Sequence, residues 1–137
     1  MQELINKDAL LLLWTTGWAI ATGQAQEVAR AWGATPVSEI IWCKVTKNHL
    51  PRWGTGYRVR SLHEPILLCT WGRPVFKALP SRVDGVAREH SRKPSEAYEL
   101  IEKATRDLLW RCDLFARESR RGFEGWGDEY QKFDEKM

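Results

Sequence analysis

Long hydrophobic runs are missing from this chain of 137 residues. The longest, from Ala9 to Trp14, is far shorter than the roughly 20 apolar residues that a membrane-spanning helix needs. The N-terminus also lacks the basic lead and the small-residue cleavage site of a secretory signal. We therefore expect no membrane association and no secretion, and we place the protein in the cytoplasm or at the nucleoid.

Cysteine and histidine are both scarce, with three residues of each. Cys43, Cys69 and Cys112 lie within apolar runs, at spacings that match neither a zinc site nor a redox pair. We interpret them as small buried side chains in a reducing compartment, and we expect neither a disulfide framework nor a metal site.

Charge of one sign is not in large excess, because the formal net charge is only +3. Basic residues nevertheless concentrate between Lys44 and Arg60 and between Arg82 and Arg121, so basic surfaces can form locally. An ordinary solvated surface is the alternative interpretation. Eight tryptophans are present. We expect most of them to pack in the core, although a tryptophan beside a basic turn can also stack on a base.

Strands alternate with helices along the chain, which predicts one α/β domain over residues 1–137 with a mostly parallel sheet flanked by helices. Hydrophobic periodicity predicts helices from Ala19 to Trp32 and from Pro94 onward. Residues 46–64 form the longest predicted loop, and the final segment from Lys132 to Met137 is expected to fray. The predicted strands are Ala9 to Trp14, Glu39 to Val45, Pro65 to Trp71, Val83 to Ala87 and Leu108 to Ala116.

Two basic positions suggest an anion site. Lys93 directly precedes Pro94, which opens the predicted helix, and free N–H groups at a helix start favour anions. Arg117 follows the last predicted strand, where ligands of open α/β sheets collect, and its guanidinium can clamp a carboxylate or ribose hydroxyls. Ser119 and Arg120 lie within reach of the same pocket. The alternatives are a surface lysine and a solvated basic turn.

A third constellation lies in the long loop, where glycines alternate with basic and aromatic residues from Arg52 to Arg60. Such a loop can hold a phosphodiester and an unstacked base. A simple polar connection between strands is the alternative, and His63 beyond it is equally consistent with a structural histidine.

Five stretches resemble the MT-A70 family of S-adenosylmethionine-dependent methyltransferases, which modify the exocyclic amine of adenine. The resemblance runs from about Leu10 to Glu129 and implies a Rossmann-like fold. It also implies that Lys93 lies in the cofactor pocket. The stretches are Leu13 to Gly17, Ile40 to Lys44, the Gly-Thr-Gly-Tyr sequence at 54–57, Arg88 to Tyr98, and Leu114 to Glu129.

The resemblance implies roles for further residues on both sides of the site. Arg117, Ser119 and Arg120 are expected to contact the ribose and methionine parts of S-adenosylmethionine, and the pair Asp128 and Glu129 its adenosine part. Residues facing the nucleic-acid substrate or a partner interface are expected to include Tyr57, Arg58, Arg60 and His63.

The family's catalytic motif, Asp-Pro-Pro followed by an aromatic residue, does not occur in this sequence, where no two prolines are adjacent. Family members carry it at the end of an earlier strand. There the aspartate and the first proline carbonyl accept the amine hydrogens, and the aromatic ring stacks on the base. We therefore expect a missing strand in the sheet, with an edge and an apolar surface for something else to cover.

Three functions fit these observations. The first is an adenine-N6 methyltransferase of DNA or RNA, of which this chain is a fragment. The second is a catalytically silent family member that binds nucleic acid or an active methyltransferase subunit, including a second copy of itself. The third is a protein that has kept only the fold.

Overall fold

The computed structural model describes residues 5–89, 92–108 and 110–134, where a four-stranded mixed sheet, a two-stranded sheet and three helices are found. His90 and Ser91, from the Arg88 to Tyr98 stretch, lie outside the described residues, and so does Leu109. No helix in the described ranges is both long and apolar enough to cross a membrane. In chain order the elements are β1 (Ala9–Trp14), α1 (Gly17–Thr22), α2 (Gln24–Ala31), β2 (Thr35–Val45), β3 (His63–Trp71), β4 (Arg82–Val86), α3 (Ser95–Ala104), β5 (Cys112–Leu114) and β6 (Glu124–Trp126).

The large sheet has the strand order β1-β3-β2-β4 and is mixed. Strand β3 pairs antiparallel with both β1 and β2, whereas β2 and β4 are parallel. The α/β class is thus confirmed, but the predicted mostly parallel sheet is not. The reason is the connection between β2 and β3: it contains no helix, and β3 returns directly beside β2 as its antiparallel neighbour.

Strand β1 contributes to a core on each face of the sheet, as its continuous apolar run predicted. Leu11 and Leu13 pack on the buried cluster that includes Ala25 and Ala29 of α2. The alternate side chains of β1 pack on the opposite face, against the buried Ile40, Ile66 and Leu68. These alternate residues are Leu10, Leu12 and Trp14.

The predicted helix from Ala19 to Trp32 is divided into α1 and α2 at Gly23, whose φ is 82°. Glycine adopts this left-handed conformation without a steric penalty, so it ends one helix and begins the next. Thr16 caps α1 by accepting a hydrogen bond from the Ala19 N–H at 3.2 Å. The helix after Pro94 is confirmed as α3.

The small sheet consists of β5 and β6, which run parallel. Strand β5 covers only Cys112–Leu114, less than the predicted strand from Leu108 to Ala116, and β6 was not predicted. Beyond β5 the chain turns sharply, since Phe115 has φ 58°. Gly127 lies against this turn, where a Cβ would stand 2.8 Å from the Phe115 Cα. A side chain is thereby excluded at position 127.

Candidate cofactor site

A cavity of about 420 Å³ lies between β1 and β5. All residues from Leu10 to Trp14 line one wall, and Cys112–Leu114 line another. Within the described ranges, β1 is an edge strand and β5 pairs only with β6. The cavity therefore combines an apolar interior with two sheet edges, and its basic lining residues are Arg92, Lys93, Arg111, Arg117 and Arg120.

Lys93 reaches the cavity from the segment before α3, where the buried Pro94 fixes the backbone. Its ammonium donates a hydrogen bond to Glu64 Oε2 at 2.7 Å and lies 5.0 Å from the ring centroid of Trp14. Glu64 also pairs with Lys44 at 2.9 Å. Two lysines share one carboxylate, so this group keeps one excess positive charge beside the cavity.

Glu64 stays ionised because of these two lysines. Burial by itself raises the pKa of its carboxyl group, but the hydrogen bonds and attraction from Lys93 and Lys44 outweigh burial and bring the pKa below its ordinary value. Glu64 was not predicted as a site residue. It lies 29 residues from Lys93 in sequence, and only the return of β3 brings the two side chains together.

Three arginines converge on Glu118. Arg92 binds both of its carboxylate oxygens, at 2.9 and 3.1 Å, while Arg120 and Arg88 approach Oε2 at 3.1 and 3.4 Å. Burial acts to raise the pKa of Glu118, but the arginines lower it overall. Arg120 also stacks on the Tyr98 ring, 3.7 Å from the centroid. The predicted Arg120 is therefore held at the cavity wall by two contacts that the sequence did not indicate.

Asp113 is a carboxylate on the cavity wall for which the sequence suggested no role. It accepts a hydrogen bond from the Tyr98 hydroxyl at 3.3 Å. Burial raises its pKa, against the lowering effects of Tyr98 and Arg120. Burial likewise raises the pKa of Tyr98, aided by the negative charge of Asp113. Tyr98 therefore stays a neutral donor at neutral pH.

The remaining predicted cofactor residues lie on the segment that follows β5 and β6. Arg117 lines the cavity and pairs with Glu129 at 2.6 Å. Ser119 bonds to Asp134 through both its N–H and its hydroxyl. Asp128 and Glu129 are exposed, and neither they nor Ser119 are among the residues of the described chain that line the cavity. The assignment of all six residues to the cofactor stays a prediction.

The predicted substrate loop is largely exposed. Tyr57 is fully exposed, and Arg60 stacks on Trp53, 5.1 Å from its ring centroid. Arg58 is exposed as well, and His63 begins β3 next to Glu64. His63, a predicted substrate residue, is thus adjacent in sequence to Glu64, whose carboxylate binds Lys93. The substrate roles of Tyr57, Arg58, Arg60 and His63 stay predictions.

Together, the α/β fold and a cavity with an apolar interior and several basic side chains in its lining are typical of a protein that binds a small ligand. Groups of three or more His, Cys, Asp or Glu side chains that could hold a metal ion are not found in the described part of the chain.

Sequence comparison then assigns the family. The MT-A70 family model matches residues 1–129, and the chain belongs to the MT-A70 family. It is 35% identical over 126 residues to a probable N(6)-adenosine-methyltransferase MT-A70-like from Oryza sativa subsp. japonica, covering 89% of this chain and 17% of that protein. It is 33% identical over 126 residues to the N(6)-adenosine-methyltransferase MT-A70-like of Arabidopsis thaliana, covering 89% and 18%.

A fungal relative matches along almost the whole chain. The N6-methyladenosine RNA methyltransferase MTA1 of Pyricularia oryzae is 25% identical over 149 residues, covering 98% of this chain and 38% of that protein. The chain thus spans less than two fifths of the length of each of these relatives.

Proposed function

We propose that this chain forms the cofactor-binding part of an S-adenosylmethionine-dependent adenine-N6 methyltransferase that acts on nucleic acid. The observation that carries the proposal is that Lys93, Arg117 and Arg120 line the same cavity. These residues lie up to 27 positions apart in sequence, and α/β sheets typically bind their ligands where strand ends and helix starts meet.

The donor set fits S-adenosylmethionine. Ammonium and guanidinium groups suit the methionine carboxylate, and the rings of Trp14 and Tyr98 with the apolar β1 wall suit the adenosine part. When bound, the cofactor supplies a methyl group on a sulfonium. The residues of this chain would bind and orient it: Lys93, held by Glu64, provides a fixed cation at the wall.

Catalysis also requires that the target amine be held, which is the task of the Asp-Pro-Pro-aromatic motif in the family. We propose that a strand carrying this motif pairs with the edge of β1 beside the cavity, and that the part of the cavity lined by Lys93, Arg117 and Arg120 stays open for the cofactor. Support comes from the two strand edges that line the same cavity, because backbone N–H and C=O groups at a sheet edge favour pairing with a further strand.

The basic, aromatic loop from Arg52 to Arg60 is the proposed contact surface for the nucleic acid. Its exposed rings and guanidinium groups are suited to stacking and to phosphate binding. Substitution of both Arg58 and Arg60 by alanine should weaken binding at low salt and reduce its salt dependence. Unchanged binding by this variant would exclude the loop as the contact surface.

The second candidate function is a catalytically silent subunit. It is favoured by the apolar cavity wall along the edge of β1, a surface that an active methyltransferase subunit could cover. The two candidates separate in one assay: labelled methyl transfer to adenine-containing RNA and DNA, by this chain co-expressed with a family member that carries Asp-Pro-Pro-aromatic. The first candidate predicts that Lys93→Ala in this chain lowers the transfer gained on co-expression when S-adenosylmethionine is subsaturating. Transfer that is insensitive to this substitution would favour the silent subunit.

RNA is the expected substrate, because the relatives are named as adenosine or RNA methyltransferases.

A further inference from the structure

Glu118 is one of the residues that line the proposed cofactor cavity. A carboxylate at this position repels the carboxylate of a bound methionine part, so cofactor binding alone does not explain its presence. It is also no simple surface charge, since its side chain is only 19% exposed and three arginines surround it. Its role is indicated by the arginine atoms that it occupies.

Arg92 holds Glu118 in the way that a guanidinium group holds a phosphate. Nε and Nη2 of Arg92 donate to the two carboxylate oxygens, at 3.1 and 2.9 Å. Paired N–H groups in this arrangement bind carboxylates and phosphates alike. Nη1, the remaining nitrogen of Arg92, donates to Glu89. Glu118 therefore occupies the place on Arg92 that a phosphate group would use.

The same carboxylate engages two further guanidinium groups. Arg120 donates to Glu118 Oε2 and to the Lys93 carbonyl oxygen, at 3.1 and 3.2 Å. Both contacts use Nη2, and the cofactor contact assigned to Arg120 is left to its other nitrogens. Arg88 donates to the same two oxygens, at 3.4 and 2.9 Å. One negative charge thus offsets part of a cluster of three positive charges beside the cavity.

Phe133 adds a second restraint on Arg92. Its ring centroid lies 4.7 Å from the Arg92 guanidinium, and its N–H donates a hydrogen bond to the Arg117 carbonyl oxygen at 2.9 Å. This position corrects the expectation of a frayed end for residues 132–134, whereas residues 135–137 lie outside the described part of the chain. The Arg92 guanidinium is thus held at its edge by Glu118 and at its face by Phe133.

We propose that Glu118 is a specificity-determining residue that excludes adenine nucleotides from the cavity. This inference rests on the proposed cofactor site, since a pocket for the adenosine part of S-adenosylmethionine also fits the adenosine of AMP, ADP and ATP. The ligands differ beyond the ribose, where one carries an amino acid and the others carry phosphates. Glu118 repels the phosphates and fills their binding place on Arg92, while Lys93 remains for the amino-acid carboxylate. Specificity of this kind comes from a repulsive element built against the wrong ligand.

Removing the charge of Glu118 should therefore create affinity for a phosphate. In Glu118→Gln the repulsion is lost, and Arg92 loses one of its two acceptors, because the amide nitrogen of glutamine donates and cannot accept. This gain is the opposite of the effect expected from damage to a binding site. A purely structural role of Glu118 predicts instead that all ligands bind equally well or less well.

The test is calorimetric titration of the full chain with methylthioadenosine and with AMP, which carry a neutral methylthio group or a phosphate on the same ribose carbon. We expect the wild type to bind AMP no more tightly than methylthioadenosine. Glu118→Gln should bind AMP about tenfold more tightly than the wild type does, the effect of one charge-assisted contact. Its affinity for methylthioadenosine should be unchanged.

Two control variants isolate the charge at this position. Glu99→Gln makes the same change in net charge at an exposed position of α3, and it should leave both affinities unchanged. Glu118→Asp keeps the negative charge, so its ratio of AMP affinity to methylthioadenosine affinity should stay at the wild-type value. A gain of AMP binding in Glu118→Asp as large as that in Glu118→Gln would overturn the role of the charge.

The remaining outcomes separate this inference from the proposed cofactor site. Unchanged or weaker AMP binding by Glu118→Gln, with a wild-type circular dichroism spectrum, would overturn the specificity role alone. Tighter binding of AMP than of methylthioadenosine by the wild type would also overturn it, and this comparison decides the question even if the variant does not fold. Failure of the wild type to bind either methylthioadenosine or S-adenosylhomocysteine would overturn the proposed cofactor site, and the specificity role with it.

Discussion

Replacing Glu118 by glutamine should cost the fold about 2–3 kcal/mol. The Glu118 carboxylate is 19% exposed and receives Arg88, Arg92 and Arg120, whose side chains are 27%, 15% and 11% exposed. Removing one partner of a fully buried ion pair costs roughly 3–5 kcal/mol. Partial exposure of this cluster reduces that figure, because water can solvate the guanidinium groups that are left unpaired.

Urea denaturation at pH 7 measures this loss as a shift of the midpoint at constant slope. The matched control is Glu99→Gln, because Glu99 is exposed on α3, and a surface change of this kind is expected to stay within about 0.5 kcal/mol. A Glu118→Gln loss as small as that of the control would refute the view that this carboxylate holds the segment after β5 to the segment before α3.

The same variant has a defined pH dependence. The folded-state pKa of Glu118 is lowered, so its charge contributes stability above the unfolded-state pKa, and that contribution is lost as the pH falls through the folded-state pKa. The stability difference between wild type and Glu118→Gln should therefore be largest near neutrality and should narrow on acidification. A stability difference that is constant with pH would contradict an electrostatic origin of the stabilisation by Glu118.

Two further substitutions test local features. Gly56→Ala places a methyl group onto the Val59 carbonyl oxygen, so it should distort the basic loop and weaken nucleic-acid binding in a filter-binding assay. The control Gly17→Ala, where nothing lies within 4 Å of the new atom, should bind normally. Equal binding by both variants would contradict the assignment of the loop to nucleic acid. Tyr98→Phe removes a hydrogen bond that lowers the pKa of Asp113, so carbon-detected NMR titration should show a higher Asp113 pKa in the variant, and a lower one would be evidence against the described pairing.

Much of the fold could be predicted from local patterns. The apolar run of β1 indicated a strand buried on both faces, and Pro94 marked the start of α3, because both signals act within a few residues. The direction of β3 could not be predicted, since it depends on how the long connection from β2 returns. Sequence-local reasoning also could not foresee that Gly23 divides one amphipathic pattern into two helices.

In the candidate site, too, some residues could be predicted from their neighbours in sequence and others could not. Lys93 and Arg117 stood out from their neighbours, a helix-opening proline and a strand end. Their partners did not, because Glu64 and Glu118 become neighbours of these cations only through tertiary packing. Glu118 lies between Arg117 and Arg120 in sequence, but its pairing with Arg88 and Arg92 depends on the approach of the segment before α3.

The central claim is that the cavity between β1 and β5 binds S-adenosylmethionine and that Lys93 contacts the carboxylate of its methionine part. Calorimetry with two ligands tests it most directly: S-adenosylhomocysteine, which has the amino-acid carboxylate, and methylthioadenosine, which lacks it. The account predicts that the wild type binds both, and that Lys93→Ala weakens S-adenosylhomocysteine about tenfold, as expected for one charge-assisted contact, while methylthioadenosine is unaffected. Equal affinities of wild type and Lys93→Ala for S-adenosylhomocysteine would contradict it.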